Sequence, residues 1–167
     1  MFTLFLVAGI AAAEPVSADC EARTQAFFDL ARAPMVVSGS DDSSAVAKGL
    51  VAQTTRLADV LKAGGALLGG CGPQVDQQVA QELSRLMRGH SAALRLAPVP
   101  RGLDEEEQFL YEEVIEDRVE AMDGKAAFFE LVAVSAASCS AGIGPCLPDY
   151  ALLKDKVPPT PYCRKRR

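Results

Sequence analysis

The residues in this chain that could do chemistry are carboxylates crowded into one stretch, a single histidine and five cysteines. Glu112, Glu113, Glu116, Asp117 and Glu120 are dense enough to suggest a calcium or iron site. A calcium loop, however, spaces its oxygen ligands at alternating positions around a glycine-forced turn, and no such turn interrupts this run. A di-iron bundle takes Glu-x-x-His pairs, whereas His90 has Met87 at that offset. The carboxylates are therefore read as a charged, solvated helix face. Glu112, Glu113, Glu116 and Glu120 form the part of it best placed to dock a basic partner.

His90 falls on an apolar helical stripe, where a packed histidine held by a hydrogen bond is the simpler reading. A general base needs a nucleophile or carboxylate partner, which one helix does not identify. An enzyme centred on His90 with a carboxylate from the last helix is the least favoured alternative. There is no Cys-x-x-Cys or Cys-x-x-Cys-His and no Gly-x-Ser-x-Gly, so no metal, haem or other cofactor is expected. Gly69-Gly70-Cys71-Gly72 lacks the preceding strand and following Lys-Ser/Thr of a phosphate cradle, and reads as a helix terminus. Tryptophan is absent, and the formal charge of −5 leaves −9 on the chain once the cationic residues at 164–167 are set apart. Such a body repels phosphate backbones, which excludes nucleic acid as a partner. Arg164-Lys165-Arg166-Arg167 is read as a solvated end able to touch anionic groups.

These residues need elements to hold them. The longest amphipathic pattern runs over 103–136: Tyr111, Ile115, Val119, Met122, Ala126, Phe129 and Ala133 recur at steps of three and four. Asp104 and Glu107 have the spacing of a capping box, and continuity is expected through Asp123-Gly124. A third helix follows Pro73, with Val75, Val79, Leu83, Leu86, His90 and Leu94 facing inward. A second places Val46, Leu50, Thr54, Leu57 and Leu61 on one face. A first spans 19–33, with Phe27, Leu30 and Ala31 toward the core. Residues 2–12 are apolar but too short to span a bilayer, and small residues follow them. They read as a signal peptide, residues 1–18, cleaved after Ala18 or Ala13. No transmembrane span is expected once it is removed.

In an oxidising compartment the cysteines become fasteners. If the helices alternate in direction, Cys20, Cys71 and Cys139 fall at one end. Cys139 with Cys146 and Cys20 with Cys71 are the candidate pairs, leaving Cys163 as a free or intermolecular thiol. The expected fold is all-α: an antiparallel four-helix up-and-down bundle over 19–137, and an irregular, disulfide-fastened C-terminal strap over 138–167 with its basic tail.

The run Leu103, Glu106, Tyr111, Ile115, Lys125-Ala126 and Phe129 resembles the helical capping region of tetratricopeptide-type envelope proteins of gliding and predatory bacteria, over about residues 103–133. The resemblance implies an envelope protein that binds other proteins and carries over no active-site residue. The function expected is that of an exported, periplasmic or secreted, non-enzymatic helical module, structural or protein-binding, whose partner is another envelope protein. The alternative is a carrier holding a small apolar ligand between Phe27, Leu57, Leu86 and Phe129.

Overall fold

The computed structural model describes residues 17–33 and 43–143. Among them are four helices and no strand: α1 (Ala18–Arg32), α2 (Ser43–Gly65), α3 (Pro73–Arg95) and α4 (Glu105–Ser140). The proposed signal peptide, the strap beyond residue 143, Cys146 and Cys163 lie outside the described residues.

The starts of α1 and α4 are capped by side chains that accept from orphan amides, and α3 starts at a proline. Ser17 caps α1 by accepting from the Cys20 amide at 3.3 Å. Pro73 opens α3, where its missing N–H costs nothing. Asp104 and Glu107 close the expected capping box on α4 at 2.9 and 3.1 Å. The glycine-rich run between α2 and α3 is a turn in which Gly69 and Gly72 adopt φ of 80° and 90°, a region that side chains disfavour. The buried Asp76 secures it by accepting from the Gly69 amide at 2.8 Å.

Two arginines tie α1 to α2. Arg23 donates to the Ala66 carbonyl at 2.8 Å, and Arg56 reaches back to the Leu30 and Ala33 carbonyls at the end of α1, satisfying acceptors that the helix leaves open. A disulfide between Cys20 and Cys71 joins the start of α1 to the turn after α2, with Cα atoms 5.6 Å apart. Cys139 is also disulfide-bonded.

The inward stripe of α3 follows expectation: Val75, Val79, Leu83, Leu86, His90 and Leu94 are all buried. In α2 the stripe is displaced. Thr54 is exposed, while Gln53, Leu57, Val60 and Gly64 face the core, and Val46 and Leu50 are outside the described side chains. The displacement centres on Gly64, where an added Cβ would stand 2.9 Å from both Leu83 Cδ1 and Phe27 Cε2. A residue with no side chain marks a close approach of α2 to Phe27 and Leu83.

The hairpin of α3 and α4 is the most intimate contact. Ala80, Ser84, Met87 and Ser91 meet a seam of Val119, Met122, Ala126, Phe129, Ala133 and Ala136, buried apart from the half-buried Met122, at the alternating three- and four-residue steps of coiled-coil packing. Its many small side chains let the backbones approach closely. Two polar clamps one heptad apart set the register. Ser84 and Arg88 hold Glu130 at 3.3 and 2.7 Å, and Ser91 and Arg95 hold Asp123, the latter at 2.6 Å. As α3 advances from Arg88 to Arg95, its partner in α4 steps back from Glu130 to Asp123. The helix α4 is continuous through Gly124 and ends at Ser140, a few residues later than the pattern ending at Ala136 suggested. Its last turn is held by small buried residues, Ala136 and Cys139, that carry little periodic hydrophobicity.

Candidate functional site

The register leaves α4 longer than its support. With Ser91 bonded to Asp123 and Leu94 sharing a crevice wall with Val119, α3 ends alongside the middle of α4. The preceding turns, 105–117, project past that end by roughly 20 Å at about 1.5 Å per residue. The connection 96–104 folds against this arm, and the Tyr111 hydroxyl donates to the Pro98 carbonyl at 3.3 Å. Burial raises the pKa of Tyr111, opposed in part by the nearby Arg118 charge, so the phenol stays protonated and able to donate.

Between the arm and the connection lies an apolar crevice of about 320 Å³, walled by Leu94, Ala97, Val99, Tyr111, Ile115 and Val119. Arg95, Glu112 and Glu116 supply its charged lining. Apolar side chains also stand in solvent around it. Leu96 and Phe109 are 84% and 65% exposed, and Leu110, Val99 and Val114 are exposed too. Grouped at one end of a hairpin, these are the surface a partner would cover. The same arm carries the carboxylates: residues 104–120 hold nine against the single guanidinium of Arg118. Glu112, Glu113, Glu116 and Glu120 are all exposed, as a docking face requires. Among the described residues no three His, Cys, Asp or Glu side chains gather as metal ligands would; these four are spread along the helix.

No protein-family model, curated protein or solved structure matches the chain. The functional reading therefore rests on its own residues.

His90 is 4% exposed, and its Nδ1 has no hydrogen-bond partner, so the bonded, packed histidine expected from the sequence is corrected to a packed one with an orphan nitrogen. The charge it feels from α4 is the Arg118 guanidinium. The nearby carboxylate of Asp123 is engaged by Ser91 and Arg95, which hold it below the ordinary carboxylate pKa against an opposing burial effect. Burial foremost, and then Arg118, lowers the His90 pKa. The folded state thus favours neutral imidazole. Its contribution to stability is complete above the unfolded pKa near 6.5 and declines as pH falls from there toward the folded value. We expect the urea midpoint to be lower at about pH 5.5 than at about pH 7, and the difference to vanish in His90→Leu, since this is the only histidine. Equal slopes in both proteins would place the proton elsewhere.

The four residues proposed to hold an apolar ligand, Phe27, Leu57, Leu86 and Phe129, are all buried in the core. The gap beside Leu57 and Leu86, bounded also by Ala31, Arg56 and Val60, has no room for a water molecule. An open groove of about 590 Å³ between α1 and α3 is lined mainly by Glu21, Gln25, Arg32, Gln74 and Gln78. Arg32 lies over the Phe28 ring there, 5.6 Å from its centre, covering the one aromatic surface an apolar ligand could use.

What the sequence had not disclosed is the arm itself. Its signal is the repeated Ser-x-x-x-Arg at 84/88 and 91/95 against Glu130 and Asp123, both at heptad spacing, which fixes where α3 stops along α4.

Proposed function

We propose that this chain is an exported, non-enzymatic protein-interaction module of the cell envelope, an antiparallel up-and-down bundle stapled at one end by disulfides. Its working surface is the α4 arm at the other end. The observation that carries the reading is the coincidence on that arm of exposed Phe109, Leu110 and Val114, an adjoining apolar crevice, and the carboxylates of Glu112, Glu113, Glu116 and Glu120. A partner segment with apolar residues flanked by cations suits both features. The apolar contacts supply affinity, and the charges supply orientation and encounter rate.

Several further features support export. The leader-like residues 2–12, the Cys20–Cys71 disulfide, and the resemblance of 103–133 to envelope proteins agree with one another. No helix among the described residues is long and apolar enough to cross a membrane. Of the two cleavage positions, the one after Ala13 keeps Ser17, the cap of α1, whereas the one after Ala18 removes it. The pairing of Cys139 with Cys146 would anchor the strap to the end of α4.

Replacing Glu112, Glu113, Glu116 and Glu120 together by Gln should leave the helix content unchanged and reduce capture of the partner from native envelope extract by about fourfold or more at low salt. Each exposed charge pair is worth about 0.2–1 kcal/mol, and four of them act together. Quantitative mass spectrometry of the captured proteins provides the readout, and recovery equal to that of the parent protein would remove this face as the docking surface.

A further inference from the structure

The outer face of α4, opposite its packing seam, is divided lengthwise. Glu113, Glu116 and Glu120 occupy the half toward its start, and Ala127, Leu131 and Val134 the half toward its end, at helical spacing along one exposed strip. Leu131 and Val134 are 47% and 65% exposed. No cation stands on the acidic half of this strip. The sequence after residue 143 carries a matching order, read from α4 outward: Leu147, Tyr150, Leu152, Leu153 and Val157, then Arg164-Lys165-Arg166-Arg167. A chain turning back at the end of α4 would bring its apolar part to the apolar half and its cations to the carboxylates.

The reach suffices. From Ile143 back to Glu116 along α4 is roughly 40 Å at 1.5 Å per residue. The stretch from Gly144 to Arg164, with Pro158, Pro159 and Pro161 favouring extended backbone, spans up to about 60 Å at 3.1 Å per residue. If the loop is shortened by a Cys139–Cys146 disulfide, about 55 Å remains. We propose that residues 147–167 of this chain lie along the outer strip of α4, with the four C-terminal cations seated on Glu113, Glu116 and Glu120. The segment is a tethered competitor for the basic partner, and the inference rests on the reading of that face as a seat for cations. Tethering puts the tail at an effective concentration near the millimolar range, enough for a weak ionic contact to stay occupied without outside help.

A photo-crosslinking amino acid in place of Ala127, which is exposed and midway along the strip, tests the path in the full chain. At low salt the crosslinks should map by mass spectrometry to 147–167 within a monomer. They should fall at least fivefold when Arg164, Lys165, Arg166 and Arg167 are all changed to Ser. Products between two copies, or none in that segment, would overturn the proposal. A synthetic peptide of residues 147–167 adds a second reading. It should bind the four-Ser chain about tenfold tighter than the parent chain, as expected if the tail occupies nine arms in ten. Equal affinity would overturn the tethered seat, while partner capture that still depends on Glu112, Glu113, Glu116 and Glu120 would leave the docking face standing without it.

Discussion

Changing Cys20 and Cys71 together to Ala lowers the unfolding free energy by about 4 kcal/mol, on the loop-closure argument for a bond that joins residues 51 apart in sequence. The bond spans α1, the connection to α2 and the whole of α2, so its loss frees about a third of the chain in the unfolded state. It also releases the turn in which Gly69 and Gly72 hold their positive φ values and Asp76 holds the Gly69 amide. Alanine avoids placing a hydroxyl where both cysteines are buried. Urea titration of the variant against the oxidised parent measures the effect, and a loss below about 1 kcal/mol would mean that α1 and α2 are held by packing alone.

Phe27→Ala should cost a comparable amount, about 3–5 kcal/mol. The ring is 1% exposed, stands edge-on to Phe28 with centroids 5.1 Å apart, and closes against the bare backbone of Gly64 and the side chain of Leu83. Gly64 has no side chain to move into the space, and Leu83 is already fully enclosed, so the cavity collapses poorly. The same geometry makes the site a coupled one. Gly64→Ala in the parent protein meets both Phe27 and Leu83; with Phe27 already truncated, one of the two obstructions is gone. A double-mutant cycle should therefore show the pair less damaging than the sum of the singles, by on the order of 1 kcal/mol. Strict additivity would mean that Leu83 alone bears the clash.

These two sites also show what the sequence discloses and what it hides. The stripes of α3 and α4 were legible because large apolar residues recur there without interruption, and because a capping box and a leading proline mark their starts. Helix direction placed Cys20, Cys71 and Cys139 at one end, and the pairing of Cys20 with Cys71 followed once Cys139 was assigned to the nearby Cys146. In α2 the pattern misled. Thr54 stands in a plausible register, yet the buried position next to it is Gln53, and a close contact is made at Gly64, which contributes nothing to any hydrophobic period. The proposed docking face was half legible. Its carboxylates and their exposure could be read from charge spacing, but the crevice beside them depends on where α3 ends along α4. That in turn depends on clamps between residues some thirty to forty positions apart, Arg95 with Asp123 and Arg88 with Glu130. The orphan nitrogen of His90 is likewise a property of the assembled hairpin, since the same stripe with a nearer acceptor would have satisfied it.

Because α4 runs unbroken from the arm into the packed seam, one rod serves two selective regimes. Its rear half is constrained residue by residue: Ala126, Ala133 and Ala136 admit almost no enlargement where the backbones lie close. Its front half stands clear of α3, so exchanges at the exposed Phe109, Leu110, Glu113 or Glu116 cost about half a kcal/mol of stability or less. The exposed surface of that arm can therefore be rewritten residue by residue while the interior of the hairpin stays nearly identical.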